Sequence, residues 1–287
     1  MKLVVNALQQ EKQRESYFDL VKSVFGLDFR PVYHAGFLEN SFIPYTYFEG
    51  DRAVSTVAVL INYFLIEGET KRYIQVSTVA TDPEYRGQGL SGKLMDYVLS
   101  EWINDCDCIY LMANDTVTEY YPIFGFQKSH EYQYSRMIPG KLASFRMLDL
   151  TNDKDISMLI RKHTELNPYS QINLNPGIDI MMFHCINFLK DCIYYLPDYD
   201  AVVIAEIEGA EMFVYDIYAE GHAEIDEILG SITLGEDMKA RFGFTPLESI
   251  TCDVEASNEE DSTFFVMEGM SSILDTHKVT LPYLSRA

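Results

Sequence analysis

The chain has 287 residues, 47% hydrophobic and 23% charged, a composition ordinary for a globular protein with room for two cores. Its 44 acidic and 22 basic side chains give a net charge of −22. Such a field repels nucleic acid and anionic membranes, and no Lys/Arg cluster offsets it.

No apolar run approaches the length of a membrane span, and the N-terminal segment turns polar too early for a signal peptide. Five scattered cysteines (Cys106, Cys108, Cys185, Cys192, Cys252) fit a reduced, cytoplasmic setting. Glu11 to Phe25 places Tyr17, Leu20, Val21, Val24 and Phe25 on one helical face, closed by Gly26. Residues 45–66 read as two strands around a turn at Glu49-Gly50-Asp51, and Gly68 marks the next turn. A further strand runs from Arg72 to Thr81 and stops before Asp82-Pro83. A helix follows, with Leu90, Leu94, Tyr97, Val98 and Trp102 as its apolar stripe. Cys108 to Asn114 is a short buried strand, so this strand–helix–strand run predicts parallel pairing. A short helix over 117–124 precedes Gly125-Phe126, and one long strand is expected from Phe126 to Ile138. Pro139-Gly140 ends it.

The second half starts again. Residues 144–150 read as a strand and 152–166 as a helix capped by Asn152 or Asp153. A helix over 178–189, a strand pair around Glu208-Gly209, a helix over 222–232 and strands within 241–254 and 263–269 complete it. Phe242-Gly243-Phe244 echoes Phe124-Gly125-Phe126. The expected architecture is α/β, a mixed and mostly antiparallel sheet flanked by helices, repeated as two related domains over 1–142 and 143–287. The join falls near Pro139 to Ala143. Residues 1–145 carry 13 basic and 18 acidic side chains and residues 146–287 carry 9 and 26, so the second half holds most of the charge.

The stretch Tyr85 to Met95, YRGQGLSGKLM, fits three phosphate-binding patterns. A triphosphate loop needs Ser or Thr after the lysine to hold magnesium, and Leu94 stands there, which leaves Lys93 a solvated helix residue. A dinucleotide fingerprint needs its glycines directly after a strand, whereas Asp82 to Arg86 intervene before Gly87. A dehydrogenase built on Gly87, Gly89 and Gly92 is therefore set aside.

The third pattern uses the whole segment. VATDPEYRGQGLSGKLM closely resembles the signature motif of the GNAT N-acetyltransferase family, and NDTVTEYYPIFGF resembles its second motif at fitting spacing. The resemblance covers about residues 40–138, and Ser91 replaces the usual Gly or Ala. It implies an acyl-CoA N-acyltransferase that moves an acetyl group from acetyl-CoA to an amine, with no metal. Arg86, Gly87, Gln88, Gly89, Leu90, Ser91 and Gly92 would cradle the pyrophosphate, with Arg86 as a brace or a phosphate ligand. Val79, Ala80 and Thr81 would pair with pantetheine through their backbone, and Asn114 would bond the CoA arm. Tyr121, four residues before Gly125, matches the tyrosine that protonates the departing thiolate. No general base is legible among Glu39, Glu49, Gln75 and Ser77.

The second domain lacks the pyrophosphate loop, so it is expected to bind no CoA and to shape the acceptor pocket or a homodimer surface. The acidic charge hints at a cationic acceptor: a polyamine, an aminoglycoside-like amine or a basic peptide terminus. The alternative is a CoA-binding sensor or scaffold whose transferase activity has decayed. Neither nucleic acid nor membrane is an expected partner.

Overall fold

The computed structural model describes residues 1–220, 223–248, 250–259, 261–270 and 273–287. Strand β1 (Lys2–Val5) leads to helix α1 (Glu11–Phe25), which buries Tyr17, Phe18, Leu20 and Val21. Gly26 ends the helix at φ 73° and donates its N–H to the Lys22 carbonyl, the left-handed stop that glycine allows. After α2 (Arg30–His34) come three antiparallel strands, β2 (Phe42–Glu49), β3 (Arg52–Ile66) and β4 (Glu69–Thr81).

Helix α3 (Leu90–Trp102) then returns the chain to β5 (Cys108–Ala113), which pairs parallel to β4 over Tyr73–Gln75. The expected strand–helix–strand unit is present. Its stripe differs: Tyr97 drops out, Met95 and Leu99 join, and Trp102 is half-buried. The helix buries Leu90, Leu94, Met95, Val98 and Leu99, whereas Tyr97 is 38% exposed with its ring against Tyr45 at 5.9 Å. At about 100° per residue the buried arc centres near Val98, which leaves Tyr97 on its rim and brings Met95 and Leu99 inside.

The chain continues with β6 (Phe126–Lys128), β7 (Tyr132–Ile138) and β8 (Arg146–Met147). Helix α4 (Asp153–His163) is capped by Asn152, whose side chain accepts the Lys154 N–H at 2.9 Å. Next are β9 (Ile172–Leu174), α5 (Ile178–Asn187), β10 (Ile193–Leu196) and the hairpin of β11 (Ala201–Glu208) with β12 (Glu211–Tyr218). Helix α6 (Ile225–Gly230) is shorter than the 222–232 expected, and His222 lies outside the described residues. Strands β13 (Met238–Phe242), β14 (Asp253–Ala256) and β15 (Thr263–Met267) follow. The expected strand region 241–254 is strand only at its two ends; Ser249 within it lies outside the described residues.

These strands form two mixed sheets in the orders β1-β2-β3-β4-β5-β15-β6 and β14-β7-β13-β12-β11-β10-β8, with β9 added to β3 in the first. Each sheet has one parallel pair, β4 with β5 and β12 with β13. The two units are thus built on one plan and exchange strands, the first sheet taking β9 and β15 from the second half of the chain and the second sheet taking β7 from the first half. The antiparallel neighbour of β5 is β15, from near the end of the chain, and the antiparallel neighbour of β13 is β7, from the first half. The segment Phe126 to Ile138, expected as one strand, is therefore two strands in different sheets. The division expected between residues 142 and 143 does not follow the division between the sheets. Both faces of β15 are apolar: Phe264 and Val266 join one core while Phe265 and Met267 join another. Such a strand needs cover on both faces, which the two cores on either side of the first sheet give it.

The join is tightly packed. A Cβ on Gly140 would lie 2.4 Å from the Gly235 carbonyl carbon, so only glycine allows this approach. Gly140 donates its N–H to Asp237 at 2.8 Å and Lys141 donates its N–H to the Gly230 carbonyl at 3.2 Å. No helix among the described residues is long and apolar enough to cross a membrane.

The second unit carries an acid-sensitive side chain. His163 is 5% exposed, edge-on to Tyr218 at 5.1 Å, and burial pushes its imidazole down to about 4. The unfolded ring titrates near 6.5, so its neutral form contributes fully above that pH and the contribution is lost as pH falls through about 4. The gap corresponds to about 3 kcal/mol. Asp216, raised to about 6 by burial, runs the other way and is common to parent and variant. The stability of His163→Leu relative to the parent should therefore rise by about 3 kcal/mol between pH 7 and pH 4 in urea denaturation. An unchanged difference across that range counts against the assignment.

Candidate functional site

Thr56 faces Ala80 and Ala58 faces Ser77, so Thr78 and Val79 together stand against Val57. This bulge puts Thr78 at φ 43°, a conformation a β-branched residue rarely adopts. Below it, β4 and β5 pair only from Tyr73 to Gln75. Beyond that point the two parallel strands part, which opens a cleft at their C-terminal ends, the usual ligand position in such a unit.

The turn after β4 is held by charge. Asp82 accepts the Glu84 N–H at 3.0 Å, and Arg52 reaches both Asp82 at 2.7 Å and Glu84 at 2.8 Å. The Tyr85 hydroxyl donates to Glu49, and the Tyr85 ring lies under the Arg52 guanidinium. Arg86 donates from Nε to the Thr81 carbonyl at 3.2 Å, which leaves the outer edge of its guanidinium for an anion. Gly87 and Gly89 adopt φ 74° and 70°, with open space where a Cβ would stand. No side chain caps α3 at Gly89. The first N–H groups of α3, together with its dipole, therefore suit a phosphate.

A cleft of about 890 Å³ runs along this wall. Val79, Thr81, Arg86, Gly87, Gly89, Leu90, Ser91, Asn114 and Tyr121, all singled out from the sequence, line it. Three others do not. Ala80 is 2% exposed with its backbone in the β3 ladder, Gln88 is exposed off the lining, and Gly92 turns toward Phe124, whose ring would lie 3.6 Å from a Cβ placed there. Lys93 is exposed and Leu94 fully buried. Of the candidate bases, Ser77 lines the cleft. Gln75 is buried and bonds the Ala287 backbone in both directions at 3.0 Å. Glu39 and Glu49 stand outside the lining, with Glu49 engaged by Tyr85.

Tyr121 is 6% exposed, with its ring against Phe126 at 6.2 Å and Phe265 at 5.7 Å. Burial pushes its phenol up to about 12, so it is protonated throughout the neutral range. The neighbouring Tyr120 bonds Ser91 between hydroxyls at 3.0 Å. The unusual serine in the loop thereby ties α3 to the second motif. Asn114 donates from its amide to Asp261 at 2.7 Å, and Asp261 also accepts the Asp115 N–H at 2.8 Å. The amide oxygen of Asn114 is left for a ligand N–H.

Sequence reasoning did not find Leu27, Thr78, Phe188 or Ala287, which also line the cleft. Phe188 and Ala287 come from the second half of the chain, and no local pattern marks either. Among the described residues, no cluster of three His, Cys, Asp or Glu side chains is arranged to hold a metal ion.

The fold is shared with known proteins. A probable N-acyltransferase of unknown function from Enterococcus faecalis superposes with a TM-score of 0.58 at 12% identity, over 93% of this chain and 72% of the other. Eis1 from Mycobacterium abscessus gives 0.54 at 14% identity, over 92% and 73%. A GCN5-related N-acetyltransferase from Anabaena variabilis gives 0.55 at 13% identity, over 92% and 72%. No curated protein matches the sequence. These structural likenesses show the fold. Residues 7–129 match the family model of the acetyltransferase (GNAT) domain, so the chain carries a GNAT-family acetyltransferase domain.

Proposed function

We propose that the chain transfers an acetyl group from acetyl-CoA to an amine by direct attack, without a covalent enzyme intermediate. The observation that carries this reading is that the uncapped α3 loop, the β4 bulge and Tyr121 line one cleft. The pyrophosphate of CoA would rest on the N–H groups from Arg86 to the first turn of α3. Pantetheine would run along Val79 to Thr81, with a backbone N–H at the bulge directed at the thioester oxygen. The ammonium loses one proton to water and the free amine attacks the carbonyl carbon. A C–N bond forms, the C–S bond breaks, and the sulfur takes a proton from Tyr121, while the attacking nitrogen gives its second proton to water, which returns one to the Tyr121 phenolate. The products are the acetamide and CoA thiol. The second unit, with no pyrophosphate loop, would contribute to the acceptor side rather than bind a second CoA.

Calorimetry with acetyl-CoA tests the reading, and absence of binding at high micromolar concentration sinks it. If binding occurs, Gly89→Val should weaken it by about 1–3 kcal/mol, because a β-branched residue resists φ near 70°. A decayed CoA sensor would instead bind acetyl-CoA and release no thiol with any amine.

A further inference from the structure

A second cavity of about 300 Å³ adjoins the cleft. The two share Leu27, Ser77, Thr78, Met112, Phe188 and Ala287, so they meet at the β4 bulge, where the thioester is proposed to lie. The size is at the small end of ligand pockets, which span roughly 300–1,000 Å³. Phe29, Leu38, Phe42, Leu60, Ile180 and Phe183 form its apolar walls.

Two carboxylates, a histidine and an arginine line this cavity, Asp179, Glu259, His184 and Arg286, beside the Tyr283 phenol. Three of the four bond one another or neighbouring groups. Arg286 donates to Glu259 at 3.1 and 3.2 Å and to Glu131 at 2.9 Å. His184 donates from Nε2 to the Arg286 carbonyl at 2.7 Å, since a carbonyl can only accept, and burial pushes its imidazole down to about 4. The ring is neutral at pH 7.

Asp179 differs. It is 5% exposed and accepts from the Asn40 N–H at 3.0 Å and the Asn40 amide at 3.4 Å. Among the described residues no Lys, Arg or His forms an ion pair with it. A buried carboxylate met only by neutral donors inside apolar walls favours a cation.

We propose that this cavity is the acceptor site and that it takes a primary amine with one compact apolar body, aromatic or branched aliphatic, its ammonium drawn in by Asp179. The proposal rests on the acetyl-transfer reading above and narrows it. The overall acidic charge attracts any cation toward the molecule, but among the described residues Asp179 is the one lining side-chain carboxylate of the cavity without an ion pair. A polyamine or an aminoglycoside would bring further ammonium or hydroxyl groups against the apolar walls of Phe29, Phe42, Leu60 and Phe183, at a cost in desolvation. Those walls match a ring or a branched chain instead.

The test uses the full chain saturated with acetyl-CoA and follows release of CoA thiol. The acceptors are 2-phenylethylamine, isoamylamine, spermidine and kanamycin. The expected kcat/KM for the two apolar monoamines exceeds that for spermidine and kanamycin by roughly tenfold or more. Equal or reversed rates overturn the proposal, as does release of no thiol with either apolar amine. Two variants locate the site. Ile180→Trp fills the cavity, and Asp179→Asn removes the charge while keeping an oxygen for the Asn40 N–H. Each should raise KM for 2-phenylethylamine roughly tenfold and leave the Kd of acetyl-CoA, which also reports folding, unchanged. An unchanged KM in both variants overturns the proposal. So does a loss of octanoyl-CoA affinity in Ile180→Trp with unchanged amine KM, since the cavity would then hold a long acyl chain. Failure of acetyl-CoA to bind the parent sinks the acetyl-transfer reading. Binding without turnover of the apolar amines sinks this proposal alone.

Discussion

Tyr121→Phe should lower kcat by about 10²–10⁴-fold, the range for loss of a positioned general acid, while the Kd of acetyl-CoA changes by less than about threefold. The substitution removes one oxygen and keeps the ring that packs on Phe126 and Phe265, so the wall of the cleft stays in place. In the proposed mechanism, what is lost is the donor for the sulfur as the C–S bond breaks. The burial that raises the phenol to about 12 also raises the proton affinity of a thiolate formed beside it. Donation therefore remains favourable even though the phenol is a weak acid. Steady-state thiol release and calorimetry on the same preparation check this. A loss of kcat below tenfold, or parallel losses in rate and affinity, assigns Tyr121 to packing. A steep fall of kcat between pH 8 and 9 that disappears in Tyr121→Phe also tells against it, because a phenol near 12 does not titrate there.

A shortened chain of residues 1–142 should neither unfold cooperatively nor bind acetyl-CoA. It contains the signature loop, α3 and Tyr121, and by sequence alone it is a whole domain. It lacks β15, which pairs with β5 over Thr263–Val266 and with β6 over Phe265–Met267. Without that strand, β5 and β6 face each other across an unfilled gap. Tyr121 loses Phe265, and the core around Val98 and Leu111 loses Phe265 and Met267. The free β7 would add an edge with no sheet to join. Removing one large buried aromatic alone costs about 3–5 kcal/mol, comparable to the whole stability of a small domain. Circular dichroism with urea, followed by acetyl-CoA calorimetry, checks this. A 1–142 fragment that melts cooperatively and binds the ligand shows that β15 is dispensable.

Much of the first unit was legible because its signals are local. Gly26, Gly50 and Gly68 mark stops and turns that depend on a few neighbouring residues, and each takes positive φ in the fold. The stretch from Thr81 to Gly92 writes a turn, a phosphate-sized loop and a helix start in consecutive letters. Leu94 fell inside the core, as its place on the stripe required. The exchange of strands was not legible. TFFVM says that a strand is buried on both faces, but hydrophobicity names no partner. Residues 126–138 alternate well enough to read as one strand. The break comes at Ser129 to Glu131, where the Ser129 N–H is bonded to the Phe264 carbonyl and Glu131 is buried against Arg286. Both partners lie more than a hundred residues away.

The candidate site divides the same way. By itself the sequence determined the cradle and the two motifs around it, because backbone dihedrals, helix caps and short spacings are set within a dozen residues. It also bounded the electrostatics through a charge of −22. Only the tertiary structure decided what stands opposite the cradle. Asp179, Ile180 and Phe183 on α5 face the β4 bulge, and Phe188 and Ala287 close the space between the two cavities. Net charge sums over the whole surface and suggested a polar, cationic acceptor. The cavity at the bulge depends on which few side chains meet there, and packing from two distant parts of the chain gave it apolar walls, an ion-paired Glu259 and an Asp179 with no ion pair among the described residues.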